Sequence, residues 1–299
     1  LGLPMIGMIV PKSIEGVVAA AHPGVAVNLA PEGDGPFLVL NARLLEVPAG
    51  TVPALGTAFV DADDDSIGLA LLDRSSLRAL IESRSLPADV TPSNSTDLPL
   101  ARAAWDVFAT AGSRIASDLK LMASGVGLLI DPRARGATVL GDHPVQISDA
   151  AVIDPGVVFD AREGAIFIGP HVHLGVHAVF HGPCAVLEKT RIADHATIKA
   201  NTVIGPHCRI GGEVGGTVFQ GFSNKSHDGH LGDSWIGSWA NLGASTVNSN
   251  LLNTYGEVMM KLTPGGPRIR SGRQFLGCVI GDHAKTAIGT RIMTGTAIG

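Results

Sequence analysis

From Ile147 onward an aliphatic residue keeps returning every six positions, and that period constrains the fold more than any other feature of the 299-residue chain. Ile147, Ile153, Leu174, Ile192, Ile198, Ile204, Ile236, Leu242, Ile280 and Ile292 each head a hexad, Thr286 is a weaker member, and a small residue often follows four places on. A period of six is neither helical nor a plain alternation. It places one large aliphatic side chain inward per short strand and turns the chain sharply afterwards, so that three hexads, about 18 residues, close one triangular coil. Stacked coils bury the aliphatic column while their backbones pair in parallel ladders. The small slots hold Ala151, Val157, Ala178, Cys184, Ala196, Cys208 and Ala284, which makes two of the cysteines packing units.

Composition agrees with a turn-rich β protein: 38 Gly and 18 Pro stand against 4% aromatic residues. With 45% hydrophobic and 16% charged residues the chain is globular rather than disordered. A net charge of -5 supplies no basic surface, so nucleic acid is not an expected partner, and an anionic small molecule must be bound locally. Apolar runs such as Phe37–Leu40 and Val126–Ile130 fall short of the roughly 18 residues of a membrane span, so no membrane partner is expected. The start LGLPMIGMIVPK has no basic n-region and is broken by Pro4 and Pro11, and Cys184, Cys208 and Cys278 form no CxxC pair. Both point to a cytoplasmic protein with reduced thiols. The chain opens on Leu1 and closes on Ile298-Gly299 in mid-pattern, which predicts a piece of a longer protein.

The hexads break at Gly212–Ser234 and again at Ser249–Cys278, where the expected excursions carry the chemistry. The first break holds Lys225, His227, Asp228 and His230 and runs directly into LGDSWIGSWANLGAST. A histidine four residues ahead of LGDxxIGxxxNxGAxT resembles the acetyltransferase half of the hexapeptide-repeat sugar nucleotidyltransferase/acetyltransferase family, the bifunctional N-acetylglucosamine-1-phosphate uridyltransferase/glucosamine-1-phosphate acetyltransferases. A related group of sugar nucleotidyltransferases is matched still more fully, through Gly182-Pro-Cys, IGPHCRIGGEV from Ile204, FSNKSHDGHLG from Phe222 and WANLGASTVNSNLLNTYG from Trp239. The motifs cover about half of the chain. Two departures stand out, Asn250 for that group's Asp and Leu252 for its Lys.

The resemblance implies a left-handed parallel β-helix that assembles as a homotrimer with active sites between neighbouring subunits. It implies an acyl-CoA-dependent transferase that N-acetylates an amino-sugar phosphate such as glucosamine 1-phosphate, with acetyl-CoA as co-substrate. His227 then takes the position of the catalytic histidine, a near-neutral base able to accept a proton from the substrate ammonium. Lys225 is a point charge for the sugar phosphate. Asn241 and Asn250 match positions that face the sugar across the subunit boundary, and His230 stands where the acetyltransferase has a tyrosine that contacts substrate. Ala244 aligns with the residue whose backbone N–H meets the thioester carbonyl, and Gly243 eases that approach. No metal site is expected, because His171, His173, His177 and His181 do not follow the ligand spacing of the β-helix carbonic anhydrases. Histidines six apart, such as His171 and His177, are instead expected to stack on one face.

Residues 1–140 lack hexads and read as a partial α/β nucleotidyltransferase-like domain ahead of the β-helix at 141–299. Strands are expected at Pro36–Leu45 and Ser66–Leu72, and helices at Ser75–Ser83, Pro99–Thr110 and Ser113–Ala123. PFLVLNARLL resembles a strand of the related group, but no glycine-rich nucleotide loop of the GxGTRM type is present. Asp61, Asp63, Asp64 and Asp65 would hold Mg²⁺ only if nucleotidyl transfer occurred; a solvated acidic turn is the plainer reading. Two other function classes compete with the transferase: a sugar-1-phosphate nucleotidyltransferase whose β-helix serves assembly, and a non-catalytic trimerising scaffold.

Overall fold

A computed structural model of the chain describes residues 4–47, 50–94, 98–123 and 129–299. These divide into two compact units, Leu1–Arg102 and Ala103–Gly299. In the first, the short parallel strands Gly7–Met8 and Ala26–Val27 flank helix α1 (Glu15–Ala21). A four-stranded sheet follows, in the order Phe37–Leu40, Ile67–Leu72, Thr57–Val60, Thr91–Asn94, antiparallel except for its last pair. Helix α2 (Arg74–Ser83) starts where Asp73 accepts the Ser76 N–H at 2.8 Å, and it lays Leu77 and Leu80 on Phe37, Ala58 and Leu72. The expected strand at Pro36–Leu45 is thus shorter, because Asn41 turns the chain by donating to the Ile67 carbonyl at 2.8 Å.

The acidic turn is not simply solvated. Asp61 is 4% exposed and meets Arg102 at 2.6 Å, Asp63 meets Arg102 at 2.9 Å, and Arg43 meets Asp64 at 3.0 Å. The Arg102 guanidinium holds the Asp61 carboxyl below its ordinary range, and the hydrogen bonds of Ser66 hold Asp64 down to about 2. Carboxylates already committed to arginines do not suit a divalent cation. Among the described residues no group of three or more His, Cys, Asp or Glu gathers as a metal site, and no helix is long and apolar enough to cross a membrane.

The second unit is mainly β and built of parallel strands that rotate through three sheets. Val152–Ile153, His173–Leu174, Arg191–Ile192, Arg209–Ile210 and Asn224–Lys225 form the first face. Val158–Asp160, Val179–His181, Thr197–Ile198, Glu213–Gly215 and His230–Gly232 belong to the second. Ile166–Ile168, Cys184–Val186, Thr202–Ile204, Val218–Phe219, Trp235–Ile236 and Cys278–Ile280 belong to the third. Each strand pairs with its equivalent one coil away, as Leu174 with Ile192 and Val186 with Ile204. The hexad-heading residues Ile147, Leu174, Ile192, Ile198, Ile204, Ile236 and Ile280 all lie in one buried core. The chain turns between faces on residues in the left-handed region, among them His171, Lys189, His207, Phe222, Trp239 and His283 with φ of 58, 58, 57, 55, 63 and 60°.

Three expectations change. The first supposed break is no excursion, since strands run through Glu213–Gly215, Val218–Phe219, Asn224–Lys225, His230–Gly232 and Trp235–Ile236 in regular sheet positions. The hexad signal fades there because the corner at Gly211-Gly212 is short and Lys225 occupies an aliphatic slot. The second break is real: 249–277 leaves the coil and contains the antiparallel pair Met259–Met260 with Ile269–Arg270. Lastly, the two units meet at Arg102/Ala103 rather than near residue 140. Helices α3 (Ala104–Ala109) and α4 (Ala111–Ala123) cover the outward side of the third face, which is apolar. Ile115 and Leu119 pack on Phe167 and Ala185, while Trp105 and Phe108 join Val258, Met260 and Leu276 against Trp235 and Val279.

Candidate functional site

Lys225 is opposite Ile210 in the first-face ladder and is 1% exposed, so a lysine stands in the column that is otherwise aliphatic. Its ammonium donates to the carbonyls of Gly211 at 3.0 Å, His227 at 2.9 Å and Asp228 at 3.2 Å. All three N–H groups are thereby used. Burial pushes its pKa down to about 8, with the Asp228 charge opposing that shift. Lys225 is therefore not placed as a point charge for a sugar phosphate; it fastens the 226–229 corner from inside.

That corner presents His227. The residue is exposed, its own carbonyl is held by Lys225, and the neighbouring Asp228 carboxylate accepts from Ser245 Oγ at 3.2 Å on both oxygens. The backbone is fixed on both sides while the imidazole faces solvent, where no side chain among the described residues hydrogen-bonds it. One coil on, the Gly243 N–H donates to Thr286 Oγ1 at 3.1 Å, and the Ala244 carbonyl accepts from Gly289 at 2.8 Å. A Cβ on Gly243 would come 2.5 Å from the Ala287 carbonyl carbon, so close stacking of the coils requires glycine. The Ala244 N–H has no acceptor among the described residues. At the equivalent corner four coils earlier, the Val176 N–H is taken by Asp194 Oδ1 at 3.1 Å.

The remaining expected residues lie outside that corner. Asn241 is on the first, with Asn224 Nδ2 donating to its Oδ1 at 3.4 Å. His230 is on the second, its Nδ1 3.3 Å from Glu213 Oε1, and Lys199 meets the same oxygen at 2.6 Å. Asn250 Nδ2 donates to Asp233 Oδ2 at 2.6 Å, and burial pushes the Asp233 carboxyl up. An Asp at 250 would set a second carboxylate against this one, which accounts for Asn at that position. His230 and Asn250 both close on Gly232, where a Cβ would come 2.7 Å from either side chain. One chain thus gathers Lys225, His227, Asp228, Ser245 and Ala244 at one corner and His230, Glu213, Asp233 and Asn250 along the next face, but does not bring Asn241 into either group.

The histidine cluster does not form as expected. His171 and His177 sit at successive corners, and His177 stacks instead on His195, one full coil away, with ring centroids 5.5 Å apart. His173 Nε2 is 2.8 Å from Asp154 and His181 Nδ1 is 3.3 Å from Asp160. Sequence reading gave no role to Asp233, Glu213, Lys199 or Ser245. Asp233 lies inside the LGD motif and was open to notice, whereas the others become neighbours only through the coil register.

No family model matches the chain. Among curated proteins it is similar to the bifunctional protein GlmU of Methanococcus vannielii, 34% identical over 106 residues, 35% of this chain and 25% of the relative. It is 36% identical over 104 residues to a bifunctional sugar-1-phosphate nucleotidylyltransferase/acetyltransferase of Sulfurisphaera tokodaii, 34% of this chain and 25% of the relative. The GlmU of Nostoc sp. matches over 180 residues at 24% identity, 52% of this chain and 39% of the relative. These matches bear out the resemblance read from the motifs. The chain spans 25 to 39% of the length of these three relatives.

Proposed function

We propose that the chain is an acyl-CoA-dependent transferase that N-acetylates an amino-sugar phosphate such as glucosamine 1-phosphate in nucleotide-sugar synthesis, working in the cytoplasm as a homotrimer of left-handed coils. The observation that carries this reading is the corner at 225–228: an exposed His227 on a backbone pinned by a buried ammonium, with the unpaired Ala244 N–H on the next coil. Neutral His227 takes a proton from the sugar's ammonium, and the freed amine attacks the thioester carbonyl. As the C–N bond forms, the carbonyl oxygen gains charge and accepts from the Ala244 N–H, a group already oriented by the coil. Collapse breaks the C–S bond, the leaving thiolate takes the proton held by the imidazolium, and the acylated nitrogen sheds its surplus proton to solvent, leaving a neutral amide, a thiol and neutral His227. Asn241, His230 and Asn250, spread over two faces, suit a site completed by a neighbouring subunit.

Mass spectrometry of products from acetyl-CoA and glucosamine 1-phosphate tests the reaction, and light scattering tests the trimer. Absence of N-acetylated product with every amino-sugar phosphate tried, or a clean monomer, would overturn the shared-site reading. The nucleotidylyltransferase in the name of the Sulfurisphaera relative supports a second reading, in which the first unit transfers a nucleotide. The commitment of Asp61, Asp63 and Asp64 to arginines weighs against it. Sustained pyrophosphate release from a nucleoside triphosphate and a sugar 1-phosphate would favour it.

A further inference from the structure

A groove of about 530 Å³ runs along the corner between the third and first faces, away from the 226–229 corner. One wall is a row of first-face residues on successive strands: Arg209, Asn224, Asn241, Lys285. Strands lie about 4.8 Å apart, so the two cations stand about 14 Å from one another along the backbone, with two side-chain amides between them. Both cations are exposed, and among the described residues neither meets a carboxylate. No acidic side chain lines the groove, in a chain whose net charge is -5.

The opposite wall is a ladder of rings from successive corners. His207 stacks on Phe222 with centroids 4.8 Å apart, Phe222 on Trp239 at 4.8 Å, and Trp239 on His283 at 6.3 Å. The rings cover one another's faces, so the groove meets their edges, which carry the positive end of the aromatic quadrupole. The two walls agree in order. Each end of the groove pairs a histidine with a cation, and its middle pairs Phe222 and Trp239 with the two asparagines.

We propose that this groove binds an elongated saccharide carrying an anionic group at each end. The cations receive the anionic groups, and their flexible stems adjust to ligand length. The asparagine amides serve hydroxyls in the centre, and the ring edges give the sugar an apolar wall. A nucleoside diphosphate, with its charge gathered at one end, matches this order less well. The site shares Asn241 with the transferase reading, and none of its other lining residues is assigned a part in acyl transfer.

Calorimetric titration of the full chain tests it, with fructose 1,6-bisphosphate and trehalose 6,6′-bisphosphate as doubly anionic probes, and with maltotriose and ADP as neutral and one-ended comparators. At least one doubly anionic probe is expected to bind at least about tenfold more tightly than either comparator, and to weaken as salt rises. Arg209→Gln and Lys285→Gln should each weaken it by about tenfold, the scale of one lost charged hydrogen bond, with circular dichroism unchanged. Trp239→Ser should also weaken it, while His227→Ala should bind as the wild type does. The proposal is overturned if neither doubly anionic probe binds, if ADP or maltotriose binds as tightly, or if the two Gln variants bind like wild type.

Discussion

Replacing Lys225 by Met separates what the buried ammonium costs the fold from what it gives the site. The two side chains are unbranched and of similar volume, so the column stays filled while the charge and three N–H donors disappear. Burial lowers this lysine from 10.5 to about 8. At about 1.4 kcal/mol per unit, keeping the ammonium inside costs about 3 kcal/mol relative to the unfolded chain. Below pH 8 the lysine is protonated in both states and the full cost applies; between about 8 and 10.5 the folded protein sheds the proton that the unfolded chain keeps. Wild-type stability should therefore rise with pH across that window relative to Lys225→Met, which has nothing to titrate there. In denaturant titrations at a series of pH values, the stability difference between the two proteins should change by about 3 kcal/mol from the lower to the upper end of the window. At neutral pH the variant should be as stable as wild type or more so, offset by the carbonyls of His227 and Asp228 turning to water. Acetyl transfer should nonetheless fall by about tenfold to a hundredfold, because the corner under His227 loses its inner anchor. A stability difference that stays flat through the window refutes the reasoning.

His227→Ala should lower acetyl transfer by about 100-fold without changing assembly, as read by initial rates beside light scattering; His230→Ala should cost less. Burial pushes the Cys184 thiol up to about 12 and those of Cys208 and Cys278 up to about 11, so a thiol reagent at mildly alkaline pH should modify none of the three in the native protein and all of them after denaturation. Phe167→Ala removes the ring under Ile115 and Leu119, and thermal unfolding should show a loss of about 3 kcal/mol or more.

The coil was legible because its rule is local: an aliphatic side chain every six residues describes inward positions whichever face they belong to. The same rule exposes the error over Lys225. Phe219, Lys225 and Leu231 follow one another at six-residue steps, so the lysine's place in the inward column was written in the sequence, and its charge drew attention away from its phase. Asn248 behaves alike, turning inward to pair with Gly232 and Ser234. The strand Thr91–Asn94 hid behind Pro92, which is tolerated at a sheet edge. The pairing of α4 with Phe167 and Ala185 links distant stretches of chain and has no linear signal. Nor has the Glu213–His230 contact, since the corner between Val214 and Phe219 is one residue shorter than that between Ile198 and Ile204 and shifts the register between them.

The non-glycine corners have a consequence for how such a chain can change over evolutionary time. A residue such as Trp239 or His207 held at positive φ is strained by about 1 to 2 kcal/mol, and only the strands laid above and below repay it. A solitary coil would carry that debt at each turn, so folding should spread outward from a nucleus of several coils rather than begin at any single one. Gain or loss of one complete circuit, about 18 residues, leaves every remaining corner with its neighbours. A single inserted residue at a strand position would instead rotate every later side chain from core to solvent. Length variation should accordingly concentrate in whole circuits, at corners such as Gly211-Gly212, and in detours such as 249–277 that depart from and return to the same phase.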